Sequence, residues 1–457
     1  MNTNVIDAIA NNDICIGCGI CAGICPQGAL IMKFNKYGEY VPYQEKECPE
    51  KCGFCLNVCP FYEKATNENV LGEELFSGID NSKYLPDVGY YLESYVGYSY
   101  RFRESGASGG MTTWLLTTLL EKNVVDYVIC VTPHNKSNKL FVFEIFDNAS
   151  SVSSSSGSAY YPVEMSKVIK KILDEPGRYA VTGLPCFLKG LKLASKKNRI
   201  LDERIAVTIG LVCGQMKSKH YTTYLSTLAH ANGKLQNAYY RGKNPDNPAN
   251  NYYFHCTNEE GAKGKIYWDE GVSEAWVNRW FTQNACNFCD DIFAELADIT
   301  FMDAWLKEYS YDSRGNNLLI VRSKSLQNLI FDGIKSGQIN VSEILINKLI
   351  ESQKGVIDLK RDQLQYRLYL SDKYGLKIPI KRVKAANNID FFKRKEVELK
   401  NKMQIMSKKY FVDNFDGEYL HLSEFRRQMK LYIYILYSWK LVQKYIAIPK
   451  QIRNKYS

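Results

Sequence analysis

The chain has 457 residues, 45% apolar and 24% charged, with a formal net charge of +10; this describes an ordinary globular protein of about two to four domains at ~150 residues each. No apolar run reaches the ~18 residues of a spanning helix, and Met1 to Ala10 lack the basic start and apolar core of a secretory signal, so a cytoplasmic protein is expected. Residues 376–457 hold 19 Lys and Arg against 7 Asp and Glu, and the remainder holds 40 against 42; the basic character belongs to the tail, which argues against a nucleic-acid binder, and no recognition motif for one is present.

Eight of the 14 cysteines lie in the first 59 residues, in two runs that each end in Cys-Pro. Cys15, Cys18, Cys21 and Cys25 precede Pro26, and Cys48, Cys52, Cys55 and Cys59 precede Pro60. Two-residue gaps let successive thiolates point at one centre. Runs closed by Cys-Pro are the bacterial ferredoxin pattern for two [4Fe–4S] clusters, in which the fourth cysteine of each run serves the other cluster. The expected sets are Cys15, Cys18, Cys21, Cys59 and Cys48, Cys52, Cys55, Cys25. One extra residue between Cys48 and Cys52 departs from the usual spacing and requires the loop to bulge. Disulfide frameworks suit small secreted chains, and zinc sites show paired Cys-x2-Cys knuckles; neither describes these runs. An α+β ferredoxin-type domain is expected over 1–64. The polar stretch 65–93 reads as a linker.

Beyond it the pattern changes. Tyr95 to Tyr98 reads as a strand, and Ser105-Gly106-Ala107-Ser108-Gly109-Gly110 as a turn opening into a helix from Met111. Val124 to Thr132 and Leu140 to Phe146 read as strands. The Ser-rich stretch 150–158 is either a linker or a binding loop. Strand–turn–helix units follow at Tyr179 to Ala194 and Ile205 to Ala231, which argues for an α/β domain with a mostly parallel sheet over 94–350. Residues 325–375 look helical, and 351–457 form a basic helical C-terminal region.

Three chemical readings arise here. Cys286-x2-Cys289 is half of a metal site, and Cys186 and Cys213, each ending a strand, are candidates to complete it; the alternative is that they are small buried hydrophobes. Cys130 and Cys256 read as structural. The Ser105 to Thr113 segment, with Ser105, Gly106, Ser108, Gly109, Gly110 and Thr112, could cradle a cofactor phosphate at a helix start, or could be a turn with Ser108 as N-cap. Asp303 is either a cofactor or substrate contact or a helix N-cap. His134, His220 and His255 receive no role, and no catalytic residue is assigned.

Taken in order, these motifs resemble the coenzyme F420 hydrogenase/dehydrogenase beta-subunit family, in the form carrying an N-terminal two-cluster ferredoxin. The segments that carry the resemblance are Val96-Gly97-Tyr98, Ser105 to Gly110, Gly183-Leu184-Pro185-Cys186 and Gly210 to Gly214. Tyr240-Arg241-Gly242-Lys243, Cys286 to Cys289 with Ala297 to Trp305, and Leu318 to Arg322 complete it. It spans roughly 13–62 and 94–340 and leaves out the tail. The chain departs from the family at Met302, where Gly is common, and at Phe187, where Gln is common.

The resemblance implies an FAD-binding α/β domain with its own [4Fe–4S] cluster at Cys186, Cys213, Cys286 and Cys289, and a flavin at the Ser105 to Thr113 turn. The implied protein is a flavin-dependent oxidoreductase. It takes electrons from reduced ferredoxin or another donor and passes them to an unidentified organic acceptor. Bacterial relatives of this domain order often accompany surface-polysaccharide genes. The alternative is an adaptor that feeds a partner enzyme. The basic aromatic segment from Met429 to Pro449 could contact an anionic membrane surface or form a helical hairpin packed on the α/β domain.

Overall fold

The computed structural model describes residues 4–49, 52–134, 139–153 and 155–453, and for 447–453 the backbone path only. The expectations for Met1 to Thr3, for Ser154 within the Ser-rich stretch, and for the last four residues of the tail lie outside the described residues.

The N-terminal domain carries its two cysteine runs before and after a hairpin of antiparallel strands β1 (Leu30–Phe34) and β2 (Tyr40–Gln44). Single-turn helices Ile20–Gly23 and Phe54–Asn57 carry Cys21 and Cys55, and each follows a left-handed glycine, Gly19 or Gly53. That conformation, costly for other residues, turns the chain back on its own cysteines.

The expected linker is folded instead. Asn67 caps the helix Glu68–Phe76 by accepting from the Val70 N–H at 3.1 Å. The helix buries Leu71 and Phe76, and Glu68 pairs with Lys189 at 3.1 Å, both buried. A hairpin of β3 (Lys83–Leu85) and β4 (Gly89–Tyr91) follows. Polar composition hid this segment because its few apolar residues are the ones that pack.

The large domain is built on eight strands: β5 (Glu93–Ser99), β6 (Tyr127–Pro133), β7 (Phe141–Phe146), β8 (Tyr179–Gly183) and β9 (Ile205–Leu211), then, after a separate antiparallel sheet of β10 (Leu235–Gly242), β11 (Tyr253–Asn258) and β12 (Lys263–Tyr267), β13 (Ile299–Asp303), β14 (Asn317–Val321) and β15 (Ile339–Glu343). Their order is β15-β5-β14-β13-β9-β8-β6-β7. The four central strands from β13 to β6 are parallel. Those outside them pair antiparallel, so the sheet is mixed. Strands β8 and β14 are buried at every residue, as interior strands covered on both faces are. Strand β15 interrupts the stretch 325–375 that reads as helical; it is recruited as an edge partner of β5.

The C-terminal region is helical, as expected. Helices Phe391–Asp413 and Leu422–Arg453 form a hairpin that lays Phe411, Phe425 and Met429 into the core, where Phe411 and Phe425 meet Phe281 and Tyr224. The N-terminal domain is clamped between this hairpin and the sheet. Lys408 pairs with Glu39 at 3.1 Å, both buried, and the Met165 N–H donates to Cys18 O at 2.8 Å. Gly190 permits the close approach: a Cβ there would lie 2.6 Å from Ile20 Cδ1.

Candidate functional site

The eight N-terminal cysteines lie near one another in the N-terminal domain. After burial, the sulfurs of Cys18 and Cys15 raise the thiols of Cys21 and Cys59, with a smaller effect of Cys55 on both, and those of Cys48, Cys25 and Cys52 raise Cys55. Burial, followed by the Cys18 sulfur, pushes the Cys15 thiol up to about 12. Crowded, desolvated thiols resist ionisation until a cationic core supplies the missing charge. Backbone N–H groups of Val5, Gly17 and Ala29 donate to Cys55, Cys15 and Cys25 Sγ, each at 3.4 Å, the N–H···S contacts that iron–sulfur groups use. Among the described residues, no three His, Cys, Asp or Glu side chains close on one point to hold a single ion. A cubane needs a different arrangement, one thiolate at each of four separated iron corners. Cys48 is exposed, whereas Cys25, Cys52 and Cys55 are half-buried.

The other four cysteines come from three distant segments. Cys186 sits in the first turn of the helix Pro185–Ser195, directly after β8. Cys213 follows β9, Cys286 lies in the turn Asn284–Phe288, and Cys289 just after it. All four line one small pocket with Ile16, Phe61, Leu184, Met216 and Lys360. Ile16 and Phe61 belong to the N-terminal domain, and Cys18 is close enough to Cys186 to raise its thiol, after burial and its three partner sulfurs. The Cys15/Cys18/Cys21/Cys59 group therefore stands next to this pocket.

Charge at the pocket tests whether a cluster fits. The Lys360 ammonium donates to Cys289 Sγ at 3.2 Å. The Met216 N–H donates to Cys286 Sγ at 3.3 Å. Lys217 is fully buried among Trp280 O, Thr282 Oγ1 and Ala275 O. Arg279 and Arg367 both hold Asn287, next to Cys286. Among the described residues no carboxylate forms an ion pair with any of these four basic groups, Arg279 Nε and Nη1 have no partner, and burial pulls Lys217, Arg279 and Arg367 below their usual range, which an anion beside them would oppose. A buried cation without an anion costs several kcal/mol, roughly. Four thiolates around an iron–sulfur core carry net negative charge, so the donor set and its surroundings fit that group.

On the other side of the Cys213 to Lys217 loop lies a cavity of about 1000 Å3. Ser105, Gly106, Ser108, Gly110, Thr112 and Asp303 line it, as does the Ser-rich stretch from Ser155 to Ser158, which favours the binding-loop reading. Gly109 does not line it. A Cβ there would lie 2.7 Å from Gly97 O and 2.8 Å from Asn317 N, so this glycine serves packing against the sheet.

Ser108 is not the N-cap. Its hydroxyl donates to Asn316 O at 2.8 Å, Gly110 occupies the cap position at φ 75°, and the Asn317 side chain accepts from the Met111 N–H at 3.2 Å. Asp303 caps no helix either; it ends β13, and both its oxygens accept from Arg241. Cys130, read as structural, also faces the cavity, 3.2 Å from Ser155 Oγ.

Arg241, Lys243, Tyr160, Trp276 and Lys217 complete the walls. Of these, only the Tyr240-Arg241-Gly242-Lys243 run left a trace in the sequence. Lys243 Nζ donates to Ser108 O at 2.8 Å and to Arg103 O at 2.5 Å, pinning the glycine-rich turn from the β10 side. A helix start, a lysine and aromatic faces suit a ligand with phosphate and a planar ring. The residues present therefore fit a flavin nucleotide.

Comparison with known proteins follows the same division. Residues 14–62 match the description "4Fe-4S dicluster domain". Residues 94–170 match the N-terminal model, and 177–345 the C-terminal model, of the "Coenzyme F420 hydrogenase/dehydrogenase, beta subunit" family. The chain is 23% identical over 230 residues to a component of the F(420)H(2) dehydrogenase of Methanosarcina mazei, covering 49% of this chain and 59% of that protein. It is 27% identical over 188 residues to the coenzyme F420-dependent sulfite reductase of Methanocaldococcus jannaschii, covering 41% of this chain and 26% of that protein. An uncharacterized ferredoxin of the latter organism is 38% identical over 55 residues, covering 12% of this chain and 70% of that protein. The chain thus spans less than two thirds of the length of either oxidoreductase relative. With an iron–sulfur dicluster domain before it and the N- and C-terminal parts of the family together covering more than half of its length, the chain belongs to the coenzyme F420 hydrogenase/dehydrogenase beta-subunit family.

Proposed function

We propose that this chain is an iron–sulfur flavoprotein that links a one-electron donor, such as reduced ferredoxin, to an organic hydride acceptor through a bound FAD. One observation carries the reading: Leu184, Cys213 and Met216 wall both the four-cysteine pocket and the large cavity. When bound, clusters carry single electrons and a flavin pairs them into a hydride.

The chain's residues have distinct parts. Cys25, Cys48, Cys52 and Cys55 hold the outer cluster, and exposed Cys48 turns it toward a donor. Cys15, Cys18, Cys21 and Cys59 hold the next, and Cys186, Cys213, Cys286 and Cys289 the third. The turn from Ser105 to Gly110, the helix start at Met111 to Thr113, and Lys243 bind the phosphate end of the flavin. Asp303 acts through Arg241 rather than by touching the ligand. Tyr160, Trp276 and Tyr252 shield the ring from water.

The adaptor alternative needs no room for a substrate. A cavity of about 1000 Å3 stands at the upper end of the ~300–1,000 Å3 usual for ligand clefts, which favours an acceptor bound alongside the flavin. A sugar derivative of surface-polysaccharide chemistry would suit its aromatic wall. The reading is tested by anaerobic reconstitution of the full chain, with iron and sulfide quantitation, EPR of the reduced state and flavin extraction. Protein that retains iron but yields no flavin would end it.

A second contact is proposed at the end of the tail helix. Tyr437, Leu441, Val442, Tyr445 and Ile446 are exposed beyond Leu436, the last buried residue among those described, with Lys440 and Lys444 between them. No helix among the described residues is long and apolar enough to cross a membrane. Such a basic aromatic end is suited to lie on anionic lipid.

A further inference from the structure

We infer that Lys360, supplied by the C-terminal region beyond the family match, raises the reduction potential of the group held by Cys186, Cys213, Cys286 and Cys289, making it the most easily reduced of the three. This rests on the cluster reading of those cysteines.

Family resemblance ends at residue 345. The four cysteines lie before that point, but one wall of their pocket comes after it. A π-helical turn, Asp358–Asp362, swings both Lys360 and Arg361 inward; such turns are rare and are often found at functional sites. Lys360 is 2% exposed. Its ammonium reaches Cys289 Sγ at 3.2 Å and Asp291 O at 2.9 Å. Among the described residues no carboxylate pairs with it. Asp290, the nearest acid in sequence to Cys289, is already taken by Lys381 and Arg382 at 3.4 and 3.5 Å. The C-terminal region thus neutralises Asp290, and the second buried acid, Asp291, accepts from the Glu295 N–H at 3.1 Å and forms no ion pair with Lys360, whose ammonium is left on the sulfur.

The electrostatic consequence has one sign. The step concerned is a single-electron transfer between neighbouring iron–sulfur groups, one oxidised as the other is reduced, with no bond broken. Reduction adds negative charge to a buried centre. A fixed cation in contact with a ligand sulfur, away from water, favours the reduced form, and its N–H···S bond acts in the same direction. The N-terminal groups have no equivalent: among the described residues their sulfurs receive backbone N–H donors and no Lys or Arg side chain. Electrons would therefore collect at the pocket that shares its wall with the cavity.

The test is a potentiometric titration followed by EPR on the full-length, anaerobically reconstituted protein. Wild type is compared with Lys360→Arg, Lys360→Gln and Lys360→Met, and Cys286→Ala identifies the signal of the third group. In Lys360→Met that signal should move to lower potential by about tenfold in the reduction equilibrium, ~59 mV for one electron. Lys360→Gln should fall between it and wild type, and Lys360→Arg should stay near wild type. The two N-terminal signals should not move. Wild-type potentials in both neutral variants would overturn the inference, as would an equal shift of all three signals. Where Lys360→Met loses iron, Lys360→Gln decides. Iron lost from both neutral variants but kept in Lys360→Arg supports a required cation, and iron lost from all three overturns it. If Cys286→Ala changes neither iron content nor any signal, the cluster reading itself fails, whatever Lys360 does.

Discussion

Arg241 grips Asp303 with both Nη atoms, at 2.9 and 3.1 Å, and ties β10 to the end of β13 across the cavity. Its guanidinium carbon lies 4.2 Å from the Tyr252 ring centroid and 5.2 Å from that of Trp305. A planar fork matches a carboxylate in a way an ammonium cannot. Arg241→Lys should therefore keep the charge and lose the geometry. Flavin affinity is expected to fall about tenfold, or ~1.4 kcal/mol, read by fluorescence titration of the reconstituted protein. Asp303→Ala should cost more, on the order of 3 kcal/mol in thermal stability, because it leaves Arg241 buried without its anion. Unchanged affinity in the first variant and unchanged melting in the second would remove this pair from the site.

Lys243 supplies the pH dependence. Burial pulls its ammonium down to about 8, with Arg103 and Arg241 adding to the effect and Glu104 and Asp303 opposing it. A lysine that holds its proton less tightly when folded costs stability below about pH 8, and that cost fades as pH rises toward ~10.4, its unfolded value. Ligand binding moves the other way: the charge that attracts a phosphate is lost above about pH 8. Flavin affinity should weaken between about pH 7.5 and 9, by roughly tenfold or ~1.4 kcal/mol, and Lys243→Gln should be weak at all pH values with a flat profile. Equal slopes in the two proteins would exclude Lys243 from phosphate binding.

What could be read from the sequence was local. The N-terminal cysteines are spaced along one stretch, so their grouping follows from the spacing. Cys186, Cys213, Cys286 and Cys289 come from three loops, so the sequence offered them only as candidates, the Cys286-x2-Cys289 pair and two strand ends, with a buried-hydrophobe alternative left open until the fold placed all four around one pocket. Lys360, Lys217 and Arg279 gave no signal, because each reaches the cysteine pocket only through the fold, Lys360 from 71 residues beyond Cys289. Asp303 and Ser108 were each read against a helix start; their partners, Arg241 and Asn316, are 62 and 208 residues away. The sheet's parallel centre was visible as strand–helix units, whereas edge strand β15 is only five residues long and lies between two helices, Lys324–Lys335 and Ile346–Ser352, whose pattern dominated the stretch.

Glu39 and Lys408 test how the N-terminal domain is held. They meet at 3.1 Å with side chains 6% and 4% exposed, far apart in sequence. Removing one partner of such a pair costs ~3–5 kcal/mol, while replacing both can be nearly neutral. Lys408→Met should release the ferredoxin-type domain, seen as rapid proteolysis near residues 63–67 and, in reconstituted protein, slower electron transfer into the proposed third cluster. The double variant Glu39→Gln/Lys408→Met should recover much of the protease resistance. Resistance equal to wild type in the single variant would show that apolar contacts such as Ile20 against Gly190 hold the domain unaided.

The tail helix divides at Leu436. Before it, Phe425, Met429, Tyr432, Ile433 and Leu436 are buried against the body, so the hairpin reading holds for that half. After it, Tyr437, Leu441, Val442, Tyr445 and Ile446 are all exposed, and no single face is polar. Each Lys near an anionic surface contributes about 1 kcal/mol, and the aromatic rings add burial in the headgroup layer. The full chain should co-float with vesicles containing phosphatidylserine and release in high salt, because attraction between exposed charges is screened. Deletion of residues 440–457 should abolish flotation and leave the melting temperature nearly unchanged, since it keeps Trp439, which packs on Phe391 and Phe392, and removes no buried residue among those described. Flotation that survives the deletion would move the lipid contact elsewhere, and its absence in both proteins would leave this row of side chains for a protein partner.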